Sequence, residues 1–343
     1  MSRATGIGSW PGTDVREALR AVRDLLADGS TVGLPYLPEL PDRGPGADLV
    51  GRAAGLLADL PVDLQPSGWR LVDRPGRDLQ RARSLMRQDL DELAEAFDGY
   101  HGELKLAVAG PWTLASSLWL TRGERALTDP GATRDVLASL AEGLRLHVQA
   151  VASLVPGATL VVQLDEPGVP AVLAGRLPTA SGYGRVRAVP APVVSDGLRE
   201  VLTGGGDRGT VIHCCAPDVP LPLLRTTGVT ALSLDLSLLS PAGEESVAIC
   251  VEAGVQLWAG AVPTAPAAPG AAGLPPPSSG SAAAAAAGRV VAMWQRLGLE
   301  PSGLDEVMLT PACGLAGAAP SDARRIQQLC VDAAHELTEA AGA

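Results

Sequence analysis

His213 and Cys215 flank Cys214 in the run Thr210-Val211-Ile212-His213-Cys214-Cys215-Ala216-Pro217, where two apolar residues lead in and a proline ends the segment. Such a run reads as the last residues of a buried strand opening into a loop. Strand alternation puts His213 and Cys215 on one face and Cys214 on the other. An imidazole and a thiolate one strand repeat apart make half of a tetrahedral zinc site. Alone, the same residues read equally well as two core cysteines and a hydrogen-bonded histidine, so the other half must come from elsewhere. Asp235 closes the run Ala231-Leu232-Ser233-Leu234-Asp235, and Cys313 follows Met308-Leu309-Thr310-Pro311-Ala312. Ser9, Glu39, Asp165 and Glu166 also fall at strand ends or just beyond them. Taken singly, each of these carboxylates is as readily a solvated loop group or a helix cap.

Residues so far apart in sequence share a site only if the fold gathers strand ends at one rim. Strand-like starts near residues 6, 31, 104, 160, 210, 231, 256 and 307 alternate with helical patterns. The spacing predicts helices over Asp14 to Asp28 (capped by Thr13), Ala47 to Leu60, Leu79 to Phe97, Thr133 to Leu154, Ser195 to Leu202 and Gly243 to Ala253. A further helix begins at Ala282 and continues through Trp294. Eight strands alternating with helices fit an α/β fold, a (β/α)8 TIM barrel, as a single domain over residues 1–343. No G-x-G-x-x-G opens a helix, which removes the main support for a dinucleotide fold. Reactive groups of such barrels sit at the C-terminal ends of the strands. His213 and Cys215 end the fifth strand, Asp235 the sixth and Cys313 the eighth. A nitrogen, two thiolates and a carboxylate thus converge as a zinc site. The stretch 263–281, after the seventh strand, is mostly Pro, Ala, Gly and Ser and reads as a mobile low-complexity loop. Cys250 and Cys330 fall at apolar helix spacing and read as core.

Composition sets the outer bounds. A net charge of −11 argues against a nucleic-acid partner. Hydrophobic residues make up 46% of the chain, but there is one Phe and three Tyr, so Leu, Val and Ala must fill the core. Met1 to Thr5 lack a signal-peptide apolar region, and no apolar run approaches the roughly 18 residues of a membrane span. The expected location is the cytoplasm, with no membrane partner. Five cysteines, an odd number with two adjacent, do not form a disulfide framework. A reducing compartment leaves them available to a metal.

Five short motifs keep their order along the chain: Gly6-Ile7-Gly8-Ser9-Trp10-Pro11, Gly110-Pro111-Trp112-Thr113-Leu114, Gln163-Leu164-Asp165-Glu166-Pro167, His213-Cys214-Cys215 and Thr310-Pro311-Ala312-Cys313-Gly314-Leu315. Together they resemble the catalytic barrel of the cobalamin-independent methionine synthase family, in its short, single-barrel, archaeal-type form. The resemblance implies a uroporphyrinogen decarboxylase/methionine synthase-like barrel and a methyltransferase that moves a methyl group to the thiol of L-homocysteine bound to zinc. It implies His213, Cys215, Asp235 and Cys313 as zinc ligands. Asp165 and Glu39 would bind the substrate amine and Ser9 its carboxylate, with Trp119 a further substrate-binding residue. Glu166, with a pKa raised by the neighbouring Asp165, is the candidate catalytic acid. The methyl donor would be methyltetrahydrofolate or a methylated corrinoid, free or on a protein.

The sequence departs from the family pattern in two places. Asp235 stands where the family usually has Glu, one methylene longer. The loop Ala259-Gly260-Ala261-Val262-Pro263-Thr264 lacks the histidine that resembles a general acid in the long enzymes. Three other readings remain open. A uroporphyrinogen decarboxylase-like barrel would lack the ligand set, a zinc methyltransferase for another thiol such as coenzyme M would lack the amine-reading carboxylates, and a non-catalytic zinc-binding barrel would close all four metal positions.

Overall fold

The computed structural model describes residues 1–27, 32–206, 209–264 and 279–342. The first half of the chain runs β1 (Arg3–Thr5), α1 (Val15–Leu26), β2 (Gly33–Leu34), α2 (Leu49–Leu56), β3 (Val62–Gln65), β4 (Gly68–Leu71), α3 (Arg77–Ala96), β5 (Gly102–Ala109), α4 (Pro111–Ser117) and α5 (Pro130–Leu154). The second half continues with β6 (Ala158–Asp165), α6 (Val169–Leu173), α7 (Ala191–Gly204), β7 (Gly209–Cys214), α8 (Leu221–Arg225), β8 (Ala231–Asp235), α9 (Pro241–Glu252), β9 (Gln256–Val262), α10 (Ser279–Leu297), β10 (Met308–Pro311) and α11 (Pro320–Ala341).

Eight parallel strands lie in the order β2-β1-β10-β9-β8-β7-β6-β5. With helices between them they form the expected (β/α)8 barrel, nearly closed. At the seam β2 and β5 meet through a bridge between Tyr36 and Lys105. There the Leu37 amide donates to the Lys105 carbonyl (3.0 Å) and the Lys105 amide to the Pro35 carbonyl (2.9 Å). Pro35 and Pro38 have no N–H, so the ladder cannot extend.

Alternation along the strands sorts the side chains into two cores. Leu160, Val162 and Leu164 of β6, Ile212 of β7 and Leu232 and Leu234 of β8 pack outward among the helices. Leu34, Val161, Val211, Ala231, Trp258 and Met308, one from each of six strands, form a separate apolar layer inside the barrel. Two residues further along β6 and β7 the inner face turns polar, with Gln163, Asp165 and His213 all buried. Cys214 faces the outer side as expected and is buried, as are Cys250 and Cys330.

Several expected boundaries shift for local reasons. The first strand is Arg3–Thr5, ahead of the glycine-rich run. A side chain at Gly6 would overlap the Tyr36 ring, its Cβ 2.5 Å from Cε1, so the chain there must stay bare. Asp14, not Thr13, caps α1, accepting from the Glu17 amide at 3.1 Å. Helix α10 begins at Ser279, ahead of Ala282. That places residues 279–281 of the expected loop in a helix, while 265–278 lie outside the described residues. The β3–β4 hairpin, turning at Pro66 and Ser67 with Gly68 (φ +119°) opening the second strand, is an addition to the expected elements. Among the described residues no helix is long and apolar enough to cross a membrane.

His147, buried in α5, has its pKa lowered to about 4 by desolvation and then by Arg52. The ordinary imidazole value is 6.5. The unfolded chain therefore takes up this proton before the folded one does. The resulting stability is fully present above pH 6.5, declines as pH falls, and is exhausted near pH 4. Between those limits the loss is about 3 kcal/mol. Urea titrations of the parent and His147→Gln at pH 8 and pH 5 should show the parent losing about 2 kcal/mol more than the variant. Equal losses would mean that His147 is not held neutral.

Candidate metal and substrate site

His213, Cys215 and Cys313 bring one ligand atom each to within 4.8 Å of one another, at the rim where β7 and β10 end. Their sulfurs lie 3.1 Å apart. His213 is 2% exposed, and its Nδ1 pairs with Ser233 Oγ at 3.0 Å, across the β7–β8 register. Its Nε2 is buried with no hydrogen-bond partner. A buried imidazole nitrogen without a partner is costly. Beside two thiols it is the donor set a soft or borderline divalent metal takes. A serine on the other ring nitrogen is the kind of outer partner that orients such a ligand. These residues fit zinc.

The thiols behave as a pair. Cys313 is drawn below the ordinary thiol range by its hydrogen bond to Cys215 and then by the neighbouring His213 imidazole. Cys215 is pushed far up, first by its hydrogen bond to Cys313 and then by burial. A bound cation would favour the thiolate form of both.

Asp235 does not join the cluster. Its Oδ1 accepts from the Ser237 amide (2.9 Å) and hydroxyl (2.6 Å), capping the turn after β8. It borders a cavity of about 520 Å³ that Thr264, Arg289 and Ala312 also line. One oxygen of the shorter carboxylate is thus taken by the turn that follows it, the competition characteristic of Asp near a turn.

Asp165 stands on β6 directly across from His213 in the register. Its Oδ1 accepts from Gln163 Nε2 at 2.7 Å, and burial pushes its carboxyl above the ordinary range. Ser9 and Glu39 share a parallel bridge. The Glu39 amide donates to Gly8 (3.0 Å) and the Trp10 amide to the Glu39 carbonyl (2.7 Å). Ser9 also touches the Cys313 loop, since its Oγ accepts from the Ala316 amide at 3.3 Å and its carbonyl from the Leu315 amide at 3.0 Å. A Cβ at Gly314 would collide with that hydroxyl. Glu39 is buried and raised to about 7, chiefly by desolvation, with Arg52 opposing. The Arg52 Nε lies 3.5 Å from Glu39 Oε1. Arg52 and Arg43 in turn hold the buried Asp89.

Glu166 and Trp119 each have partners within the fold. The Glu166 carboxylate accepts from the Trp112 amide (2.9 Å), the Thr113 amide (2.8 Å) and the Thr113 hydroxyl (2.7 Å) at the start of α4. Gly110 is bare because a Cβ there would lie 2.5 Å from the same carboxyl group. Burial raises Glu166 to about 7, yet these donors favour its ionised form. Trp119 packs against the hairpin, its amide donating to Trp69 O at 2.8 Å and its ring under Arg125 at 4.7 Å.

Lys105 is a feature that the sequence reading passed over. It is 0% exposed, inside the barrel, and its ammonium donates to Gly6 O, Ile7 O (2.8 Å) and Gln163 Oε1 (2.6 Å). A lysine within Leu104-Lys105-Leu106-Ala107-Val108 was the available signal, since lysine is almost never fully buried without partners.

Fold and rim together define a (β/α)8 barrel with a His-Cys-Cys cluster and an adjacent buried aspartate. Among solved structures the chain is similar to a B12-independent methionine synthase from Shewanella sp. W3-18-1, solved in complex with selenomethionine. The TM-score is 0.60 at 12% identity, covering 98% of this chain and 97% of that one. No protein-family model and no curated protein sequence matches the chain.

Proposed function

We propose that this chain is a zinc-dependent methyltransferase that transfers a methyl group to the thiol of L-homocysteine, forming methionine in the cytoplasm. The observation that carries the proposal is the cluster of His213, Cys215 and Cys313, one ligand atom of each within 4.8 Å of the others and the His213 Nε2 without a hydrogen-bond partner, at the same rim as Asp165. The overall likeness to a methionine synthase barrel supports it.

His213, Cys215 and Cys313 would hold the metal. Bound there, zinc would lower the pKa of a substrate thiol so that it reacts as a thiolate, in the position that three protein ligands leave open. Ser233 would keep the His213 ring in its ligand orientation. Asp165 would accept the substrate ammonium, with Glu39 as a second carboxylate, and Ser9 would bind the substrate carboxylate. Trp119, against the hairpin, would be a further substrate-binding residue. The new S–CH3 bond forms as the methyl–donor bond breaks, and the donor leaves with the electron pair. Holding sulfur and methyl in line contributes much of the rate.

Calorimetry on zinc-loaded protein tests the acceptor. Asp165→Asn should weaken homocysteine binding by about 2–5 kcal/mol, the cost of breaking one partner of a buried charge pair. Unchanged affinity, or tighter binding of coenzyme M than of homocysteine by the parent, would defeat the assignment.

A further inference from the structure

Beneath the rim, the Lys105 ammonium has three acceptors, the carbonyls of Gly6 and Ile7 and the side-chain oxygen of Gln163. That matches the three donors of a charged lysine, whereas a neutral amine would turn its lone pair on one of them. The rings of Tyr36 and Trp258 flank Nζ, with centroids 5.2 and 5.6 Å away, in place of water. Burial lowers the lysine to about 7, while Asp165 and Glu39, the carboxylates that act on it, work to keep it charged.

The amide of Gln163 is the coupling. With its oxygen taken by Lys105, its nitrogen must lie on the other side, where it donates to Ile7 O (2.8 Å) and to Asp165 Oδ1 (2.7 Å). An amide turned the other way would set its NH2 against an ammonium and its oxygen against a carbonyl and a carboxylate. Lys105 thereby fixes Asp165 as an acceptor without touching it. The same ammonium holds the Gly6 and Ile7 carbonyls, at the root of the segment that carries Ser9 to the rim.

We propose that Lys105 is the positioning residue that makes this site selective for an α-amino-acid thiol. Through Gln163 it sets the Asp165 carboxylate to receive the ammonium group, and through Gly6 and Ile7 it places Ser9 for the carboxylate. This rests on the homocysteine reading above and adds the source of its selectivity.

The test compares L-homocysteine with 4-mercaptobutyrate, the same thiol acid lacking the amine, by calorimetry on zinc-loaded protein. The parent should prefer homocysteine. Lys105→Met should weaken homocysteine by about 10–100-fold, the loss that goes with one hydrogen bond to a charged group. 4-Mercaptobutyrate, which has no ammonium for Asp165 to receive, should lose less, under about 10-fold, because only the indirect placement of Ser9 is disturbed. Added to Asp165→Asn, Lys105→Met should cost homocysteine binding clearly less than it costs the parent, because its effect on the ammonium runs through Asp165. Gln163→Leu keeps the lysine and should reproduce the selective loss if the lysine variant does not fold. Equal losses for both thiols, or an undiminished preference in both variants, would overturn the role of Lys105. A parent that binds both thiols equally would overturn the homocysteine reading and this proposal with it.

Discussion

Cys215→Ala and Cys313→Ala should each lose more than about 100-fold in zinc affinity, whereas Asp235→Ala should lose less than about 10-fold. The lower bound for the cysteines follows from what outer partners cost, since removing a group that merely orients a ligand loses roughly 10–100-fold. A ligand atom is worth more than its support. The ceiling for Asp235 follows from its geometry, because its Oδ1 is engaged by Ser237 and it stands outside the His213, Cys215 and Cys313 group. Ser233→Ala, which frees the His213 ring, belongs in the 10–100-fold range between them. Competition with a chromophoric chelator would give the affinities. Cobalt substitution would count thiolates through the sulfur-to-metal absorption, two in the parent and one in either cysteine variant. Zinc retained at parental affinity by Cys313→Ala would remove the site as drawn. Loss in Asp235→Ala as deep as in the cysteine variants would restore Asp235 as the fourth ligand and close the position assigned to substrate.

Much of this barrel was legible because its strands are short apolar runs ended by glycine or proline, and because the His-x-Cys at Thr210 to Pro217 fixes which face looks inward. The period of two put His213 and Cys215 together and sent Cys214 outward, as the structure has them. What escaped depends on partners distant in sequence. Glu166 reads as a rim carboxylate until Trp112 and Thr113 are seen to supply its three donors. Asp235 reads as a ligand until Ser237 takes its oxygen. The hairpin Val62 to Leu71 does alternate, Val62 and Leu64 against Asp63 and Gln65, but it belongs to no strand-then-helix repeat. Lys105 was overlooked because five apolar neighbours dominate its strand. Its charge is meaningful only beside Gln163 and two carbonyls from the start of the chain.

With zinc-loaded protein and homocysteine in single turnover, methylcobalamin should give methionine at least about 100-fold faster than methyltetrahydrofolate. Taking the methyl from the folate expels an amine nitrogen that must gain a proton as the bond breaks, and a positioned acid contributes roughly 10²–10⁴-fold to such a step. The departing cob(I)alamin needs none. None of the four histidines serves as that acid. His213 is in the metal cluster, His147 is buried within α5, His101 precedes β5 at the far end of the barrel, and His335 is exposed on α11. Beyond β9 the chain offers Thr264, and residues 265–278 contain no ionisable side chain. Glu166, the remaining candidate, is raised to about 7 by burial, but its two oxygens are engaged by the Trp112 amide and by the Thr113 amide and hydroxyl rather than by the rim. Glu39 faces Arg52. A Glu166→Gln variant makes the assignment sharper. An acid at this position would show as a loss confined to the folate reaction, and a helix cap as a fall in thermal stability with the donor ratio unchanged. Methionine formed from methyltetrahydrofolate as fast as from methylcobalamin would refute the prediction.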